Sequence, residues 1–350
     1  MSASINQIKK DHGSKFIKGC KNIVKSMDIE KGETVIIAGP PEFKDLLFPI
    51  RHFALQEKEV TVKYFISTEK KILTEGSDEF EALANIIRAK KPSTGIFAYN
   101  KDSWPDRAAV FKVALEANDK IKLALMPGLP FSAVSNFLTL DPKKLHDATL
   151  PIGEFVKKQE GKDVIMITTD GTRDYALKGT VPGNKLGIHI DCQIPTKGGP
   201  VNFPGGEVYF QPGEIGDVNG EIFVPPGSVA GEFGTVEEGL TFEVDENMAG
   251  EVKALSGKDK SVAKGLNDAL DAMGDRVVCE FGIGTHPHIT LENSGGNTLL
   301  IEKVSNTFHI GFGENKKLGF GNISAKNGNH FDLVISSGKM NIGGQQIIPR

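Results

Sequence analysis

Glu33-Thr34-Val35-Ile36-Ile37-Ala38-Gly39, followed by Pro40-Pro41, is the stretch on which the fold turns. It is a short apolar run closed by Gly-Pro-Pro, which predicts a buried strand and its exit loop. Outward from it, Lys44 to Gln56 carries apolar residues at helical spacing, and Glu59 to Phe65 alternates as the next strand. Glu79 to Ala89 reads as a helix, Thr94 to Tyr99 as a strand, Arg107 to Asn118 as a helix and Lys120 to Leu125 as a strand. Strands separated by single helices of this length pair in parallel, with helices on both faces. The expectation is an α/β N-terminal domain with a parallel sheet, spanning residues 1–157.

After Lys157-Lys158-Gln159-Glu160-Gly161 the texture changes. Strand candidates follow one another closely: Val164–Thr168, Glu207–Gln211, Gly220–Val224, Leu240–Val244, Val277–Phe281, Thr307–Gly311 and Asp332–Ile335. Gly and Pro separate them, and only Lys260 to Met273 has a helical pattern. Residues 158–350 therefore read as a β-rich α+β C-terminal domain.

Composition narrows the function classes. Lys and Arg total 41 against 45 Asp and Glu, so the net charge of −4 offers no basic field for phosphates and argues against nucleic acid as a partner. No apolar run reaches the roughly 18 residues that span a bilayer. The start, Met1 to Lys10, lacks the apolar region of a secretory signal. Cys20, Cys192 and Cys279 are odd in number and far apart, which disfavours a disulfide framework and fits a cytoplasmic protein. The first strand–helix turn, Ala38-Gly39-Pro40-Pro41-Glu42-Phe43, lacks phosphate-binding glycines, and Glu42 repels anions. The α/β half therefore reads as a structural or oligomer-forming domain.

Half of the eight histidines, His286, His288, His309 and His330, fall in the last 65 residues, so the chemistry is sought there. Glu207 opens a β-prone segment directly after Pro204-Gly205-Gly206, where it can point into a cleft or simply face solvent. Glu280 is flanked by Val278-Cys279 and Phe281; a carboxylate in such a setting needs a partner, which a metal or a salt bridge supplies equally. His309 lies in a strand with a Gly-rich exit, and His330 with Asp332 forms His-Phe-Asp. Residues i and i+2 of a strand share a face, so that pair can reach one ion from a rigid support. Imidazoles and carboxylates are ligands for zinc, cobalt, manganese or iron. Pro287 puts His286 and His288 in a loop. Cys279 is expected on the opposite face from Glu280 as an inert thiol. Glu302, an odd seven residues before His309, falls on the opposite face if the strand is continuous. Phe281, Phe308, Phe312 and Phe320 read as core.

Four stretches, Asn202-Phe-Pro-Gly-Gly-Glu-Val-Tyr209, Glu280-Phe-Gly-Ile-Gly-Thr285, Glu302-Lys-Val304 with Thr307-Phe-His-Ile-Gly-Phe-Gly313, and His330-Phe-Asp332, together resemble the aminopeptidase T/aminopeptidase S family of metallopeptidases. Their order and approximate spacing agree with that family over the C-terminal half. The resemblance implies a dinuclear site near an inter-domain cleft, with Glu207, Glu280, His309, His330 and Asp332 as ligands to two divalent ions (zinc, cobalt or manganese). It also implies a homodimer and a short peptide substrate trimmed from its N-terminus. Glu280 and Asp332 remain equal candidates for the carboxylate bridging both ions. The chain departs from the family in having no Tyr in Gly313-Glu-Asn-Lys-Lys317 and a Gly206-Glu207 where members carry a double acid. The same scaffold resembles a dihydroxypyridine ring-cleaving dioxygenase, in which His309, His330 and Asp332 would hold a single iron. A non-catalytic binding protein is the third expectation.

Overall fold

The computed structural model describes residues 4–56, 59–67, 77–99, 104–183, 187–192, 200–316, 321–326 and 330–349, the side chains of 104–109 excepted. Phe320 and Lys317 lie outside the described residues. The chain divides into two compact units, Met1–Asp147 with Asp191–Gly205, and Ala148–Ile190 with Gly206–Arg350.

The first unit is built on a five-stranded sheet in the order Thr61–Ile66, Thr34–Gly39, Thr94–Tyr99, Lys122–Pro127 and Pro200–Asn202. Every pairing is parallel. The central strands carry apolar residues on both sides because helices cover both faces. Ile36, Ala38, Phe97, Tyr99, Leu123 and Leu125 pack against the helices Asp78–Lys90 and Trp104–Ala117. Two features escape a periodicity reading. A 22-residue helix, Ile5–Ser26, precedes the first strand; Ser4 caps it by accepting from the Gln7 N–H, and Gly13 interrupts it at φ 86°. The edge strand Pro200–Asn202 comes from the segment Asp191–Gly205, which the sequence groups with the β-rich half.

The second unit holds two sheets. One runs in the order Met248–Ala249, Leu240–Asp245, Asn219–Val224, Asp174–Thr180, Asp163–Thr169, Lys339–Ile342 and Gln345–Ile348, with Lys253–Ala254 also paired to Leu240–Asp245. The other runs Val229–Ala230, His330–Ile335, Phe308–Gly313, Val278–Gly284, Glu207–Phe210 and Ile188–Asp191. The helix Lys260–Met273 lies where its pattern puts it, burying Val262, Ala263, Leu266, Leu270 and Met273. Both sheets and this helix share one core, which includes Met166, Leu177, Phe210, Phe281, Phe308, Ile310, Phe312 and Leu333. Each such side chain contributes about 1.5–3 kcal/mol on burial. The molecule is thus an α/β unit with a parallel sheet and a strand-rich unit with antiparallel sheets, the fold class that the sequence implies. Among the described residues no helix is long and apolar enough to cross a membrane.

Candidate metal centre

Register across the second sheet of the β-rich unit brings the predicted residues together. Gly284 pairs with Glu207, Gly282 with Tyr209 and His309, and Gly311 with both Glu280 and Asp332. Residues paired across an antiparallel ladder share a face, as do alternate residues along a strand. One face therefore carries Glu207, Glu280, His309, His330 and Asp332, interleaved with Gly282, Gly284, Gly311 and Gly313. The other face carries Val208, Phe210, Phe281, Ile283, Phe308, Ile310, Phe312, Leu333 and Ile335, all in the core. The apolar alternation that makes these segments strands also fixes the site face.

The glycines let the site close. A Cβ on Gly282 would lie 1.9 Å from His309 Nε2, and one on Gly311 would lie 2.7 Å from Glu280 Cβ and 2.9 Å from Asp332 Oδ1. The space above these two backbones is filled by the site's own side chains.

His309 Nε2 is 3.1 Å from Glu280 Oε1 and 4.0 Å from Glu207 Oε2. His330 Nε2 is 3.5 Å from Glu280 Oε2 and 3.3 Å from Asp332 Oδ1. Ligand atoms of Glu280, His309 and Asp332 all lie within 4.8 Å of one another. The His330 ring is oriented from behind: its Nδ1 donates to the Glu314 carbonyl at 3.0 Å, leaving Nε2 toward the carboxylates. Such outer hydrogen bonds fix the tautomer of a metal-ligating histidine. Asp332 Oδ1 and His309 Nδ1 are buried without a hydrogen-bond partner. Two imidazoles, converging carboxylates and an unsatisfied carboxylate oxygen suit a divalent cation of the borderline kind.

Two neighbours were not legible as members of the site. Glu302 does not lie on a strand continuous with His309; that strand begins at Phe308, and Glu302 ends the short helix Thr298–Ile301. Counting parity along an extended strand therefore does not apply, and the Glu302 carboxyl lies close enough to Asp332 for the two charges to act on each other. Lys303, fully buried, donates to Glu302 Oε1 at 2.7 Å and to Glu207. Cys279 also departs from expectation. A bulge between Val278 and Glu280 breaks the alternation, and its Sγ comes within 3.5 Å of His330 Nδ1 rather than facing away. Burial holds that thiol near 11, so it stays protonated. His286 is a buried loop residue whose Nδ1 accepts from the His288 and Ile289 N–H groups, while His288 is exposed.

Burial and charge shift these groups together. Burial works against a charge on His309, yet its hydrogen bond to Glu280 and the charges of Asp332, Glu280 and Glu207 outweigh it and lift it to about 9. His330 is likewise raised, chiefly by Asp332 against burial. Burial lifts Glu207 to about 7 although Lys303 opposes it, and lifts Glu302 to about 7, with Lys303 opposing and Asp332 adding. Burial also works to raise Asp332, but the charge of His330 beside it holds it well below the usual carboxylate range. Through these groups the metal-free folded site binds more protons than the same groups in the unfolded chain from mildly acid pH upward. The His309 contribution is complete below its ordinary 6.5 and is lost as pH rises through about 9. Thermal melts in chelator are expected to show a midpoint that falls between about pH 6 and pH 9. The His309→Gln variant should flatten that slope; an unchanged slope would detach His309 from the carboxylates. Saturating metal should reverse the trend, because ligation requires deprotonated groups.

No family model and no curated protein matches this chain. Among solved structures, wild-type AmpT from Thermus thermophilus is similar over 97% of this chain and 100% of its own, with a TM-score of 0.61 and 16% identity. At that identity the likeness is one of fold.

Proposed function

We propose that this chain is a metal-dependent hydrolase of the aminopeptidase type, removing N-terminal residues from short peptides. The observation that carries the reading is the convergence of Glu280, His309, His330 and Asp332 on one sheet face, with Asp332 Oδ1 buried beside His330 Nε2 at 3.3 Å and without a hydrogen bond. The sequence resemblance to the aminopeptidase T family and the shared fold with AmpT support the same reading. Glu280, His309, His330 and Asp332 would hold a divalent ion, which when bound would supply Lewis-acid chemistry to a water and a scissile carbonyl. In the two-ion form that the resemblance implies, Glu207 is the fifth ligand.

The chain's own groups supply the proton handling. Glu302, beside Asp332 and held near 7, is matched to accept a proton from water and return it to a leaving amine. Lys303 holds Glu302 and Glu207 in place from below. We further propose a cytoplasmic homodimer, checked by light scattering on the purified chain.

Incubation of the metal-loaded protein with short peptides of varied first residue is expected to release free N-terminal amino acids, and chelator should stop it. Zinc, cobalt and manganese are tested in parallel. No release with any of them would overturn the peptidase reading.

One observation favours a second reading. Lys303 engages Glu207, which leaves Glu280, His309, His330 and Asp332. Within these, His309, His330 and Asp332 are two histidines and one carboxylate, the kind of ligand set that mononuclear non-haem iron enzymes use, with Glu280 beside both rings. In that case iron(II) alone confers activity, read as oxygen uptake with a dihydroxypyridine, and peptides are left intact.

A further inference from the structure

We infer that this centre holds a single metal ion, and that the Lys303 ammonium stands where a two-ion site would carry its second cation. The inference rests on the metal-dependent reading above and concerns its ion count.

Glu207 is the residue that a second ion would need, and it is already committed. One carboxylate oxygen, Oε1, is bound by Lys303 Nζ, while the other, Oε2, faces His309 Nε2 at 4.0 Å. The carboxylate therefore spans an ammonium and the histidine of the ligand set, as a bridging carboxylate spans two metals. Lys303 cannot simply swing out. Its side chain is wholly buried and tied to both Glu207 and Glu302. Its backbone is fixed as well, the Lys303 N–H donating to the Leu300 carbonyl and the Lys303 carbonyl accepting from the His286 N–H.

Charge points the same way. The carboxyl groups around the ammonium and the ligand set are Glu207, Glu280, Glu302 and Asp332. Charge count alone does not separate one ion from two, but position does: a second divalent ion at Glu207 would lie against the Lys303 ammonium and set two cations against each other in a buried site, where like charges repel strongly. The hydrogen bonds agree, since Glu207 Oε1 and Glu302 Oε1 are satisfied by Lys303, whereas Asp332 Oδ1 on the ligand side accepts none and has only the ion pair with His330.

The test is the metal count of the full chain saturated with manganese(II), desalted, and read by plasma mass spectrometry and electron paramagnetic resonance. The parent should hold one ion per chain and give the spectrum of an isolated manganese. Lys303→Met, which removes the charge at similar length, should take up a second ion and show a spin-coupled pair. Lys303→Arg, keeping the charge, should stay at one. Should Lys303→Met fail to fold, Glu207→Gln decides: the single ion should remain with affinity changed less than about threefold. Two ions in the parent, one ion in a folded Lys303→Met, or loss of the ion in Glu207→Gln overturns the inference. Two ions in the parent leave the hydrolase reading standing. No ion at all sinks both, and one ion without peptide cleavage sinks only the peptidase reading.

Discussion

Replacing Gly282 by alanine is expected to weaken metal binding by at least about a hundredfold while the β-rich unit still folds. The new methyl would stand 1.9 Å from His309 Nε2 and 2.0 Å from Cε1, so the imidazole must leave its position. His309 is fully buried, so the ring can leave only by shifting the groups packed around it. The backbone is not the difficulty, since Gly282 does not need a positive φ. What the substitution removes is the hollow above the strand into which the ring is laid. Overpacking of this kind typically costs about 1–3 kcal/mol of stability, which a domain can absorb while still folding, whereas displacing the ring removes a whole ligand from the metal. Gly257→Ala is the control: a Cβ there meets nothing within 4 Å, so neither stability nor metal binding should change measurably. Calorimetric titration of zinc into both variants checks the expectation. A Gly282→Ala protein that binds zinc as the parent does would show that His309 is no ligand.

That glycine also shows how far the sequence could be read. Glu280-Phe281-Gly282-Ile283-Gly284 and His309-Ile310-Gly311-Phe312-Gly313 have the same grammar: a ligand-type residue and glycines on one face, large apolar residues on the other. The period of two identifies the strands and the shared face of His330 and Asp332. It also signals, though only in hindsight, that glycine is what clears room for the site. Lys303 stands in the Glu302-Lys-Val304 stretch that carries the resemblance, but no period shows which way it points; the short helix Thr298–Ile301 and the turn after it carry the side chain inward between two carboxylates. The parity argument misplaced Glu302 for the same reason, since it counts residues as if the chain stayed extended. In the α/β unit the alternation of strands and helices was legible. The helix Ile5–Ser26 was not, because its apolar residues are sparse and Gly13 breaks its period. Nor was the capture of Pro200–Asn202 as an edge strand, which depends on tertiary pairing with Lys122–Pro127 rather than on any local pattern in its three residues.

Asp332→Asn separates ligation from an ordinary ion pair, and the expected result is at least a tenfold loss of metal affinity in a protein that still folds. The carboxamide fills the volume of the carboxylate, and the strand His330–Ile335 keeps its pairings on both sides. The anionic oxygen is lost. Oδ1 is the buried acceptor with no hydrogen-bond partner, so what it contributes to the metal-free fold is electrostatic, through His330 at 3.3 Å and His309. The metal-free variant should therefore show both histidines less readily protonated and a shallower fall of stability with rising pH. Tenfold is about 1.4 kcal/mol, a lower bound for removing a charged ligand, and excess metal should restore part of the activity. Asp271→Asn on the helix Lys260–Met273 is the matching control: that carboxylate is exposed and paired with Arg276, and losing an exposed ion pair should cost less than about 1 kcal/mol with no change in metal content. If the Asp332→Asn protein binds metal with the parent's affinity, Asp332 is not a ligand. Its buried oxygen, without a hydrogen bond, is then explained by the ion pair with His330 alone, and the likeness to metallopeptidases keeps its fold but loses its chemistry.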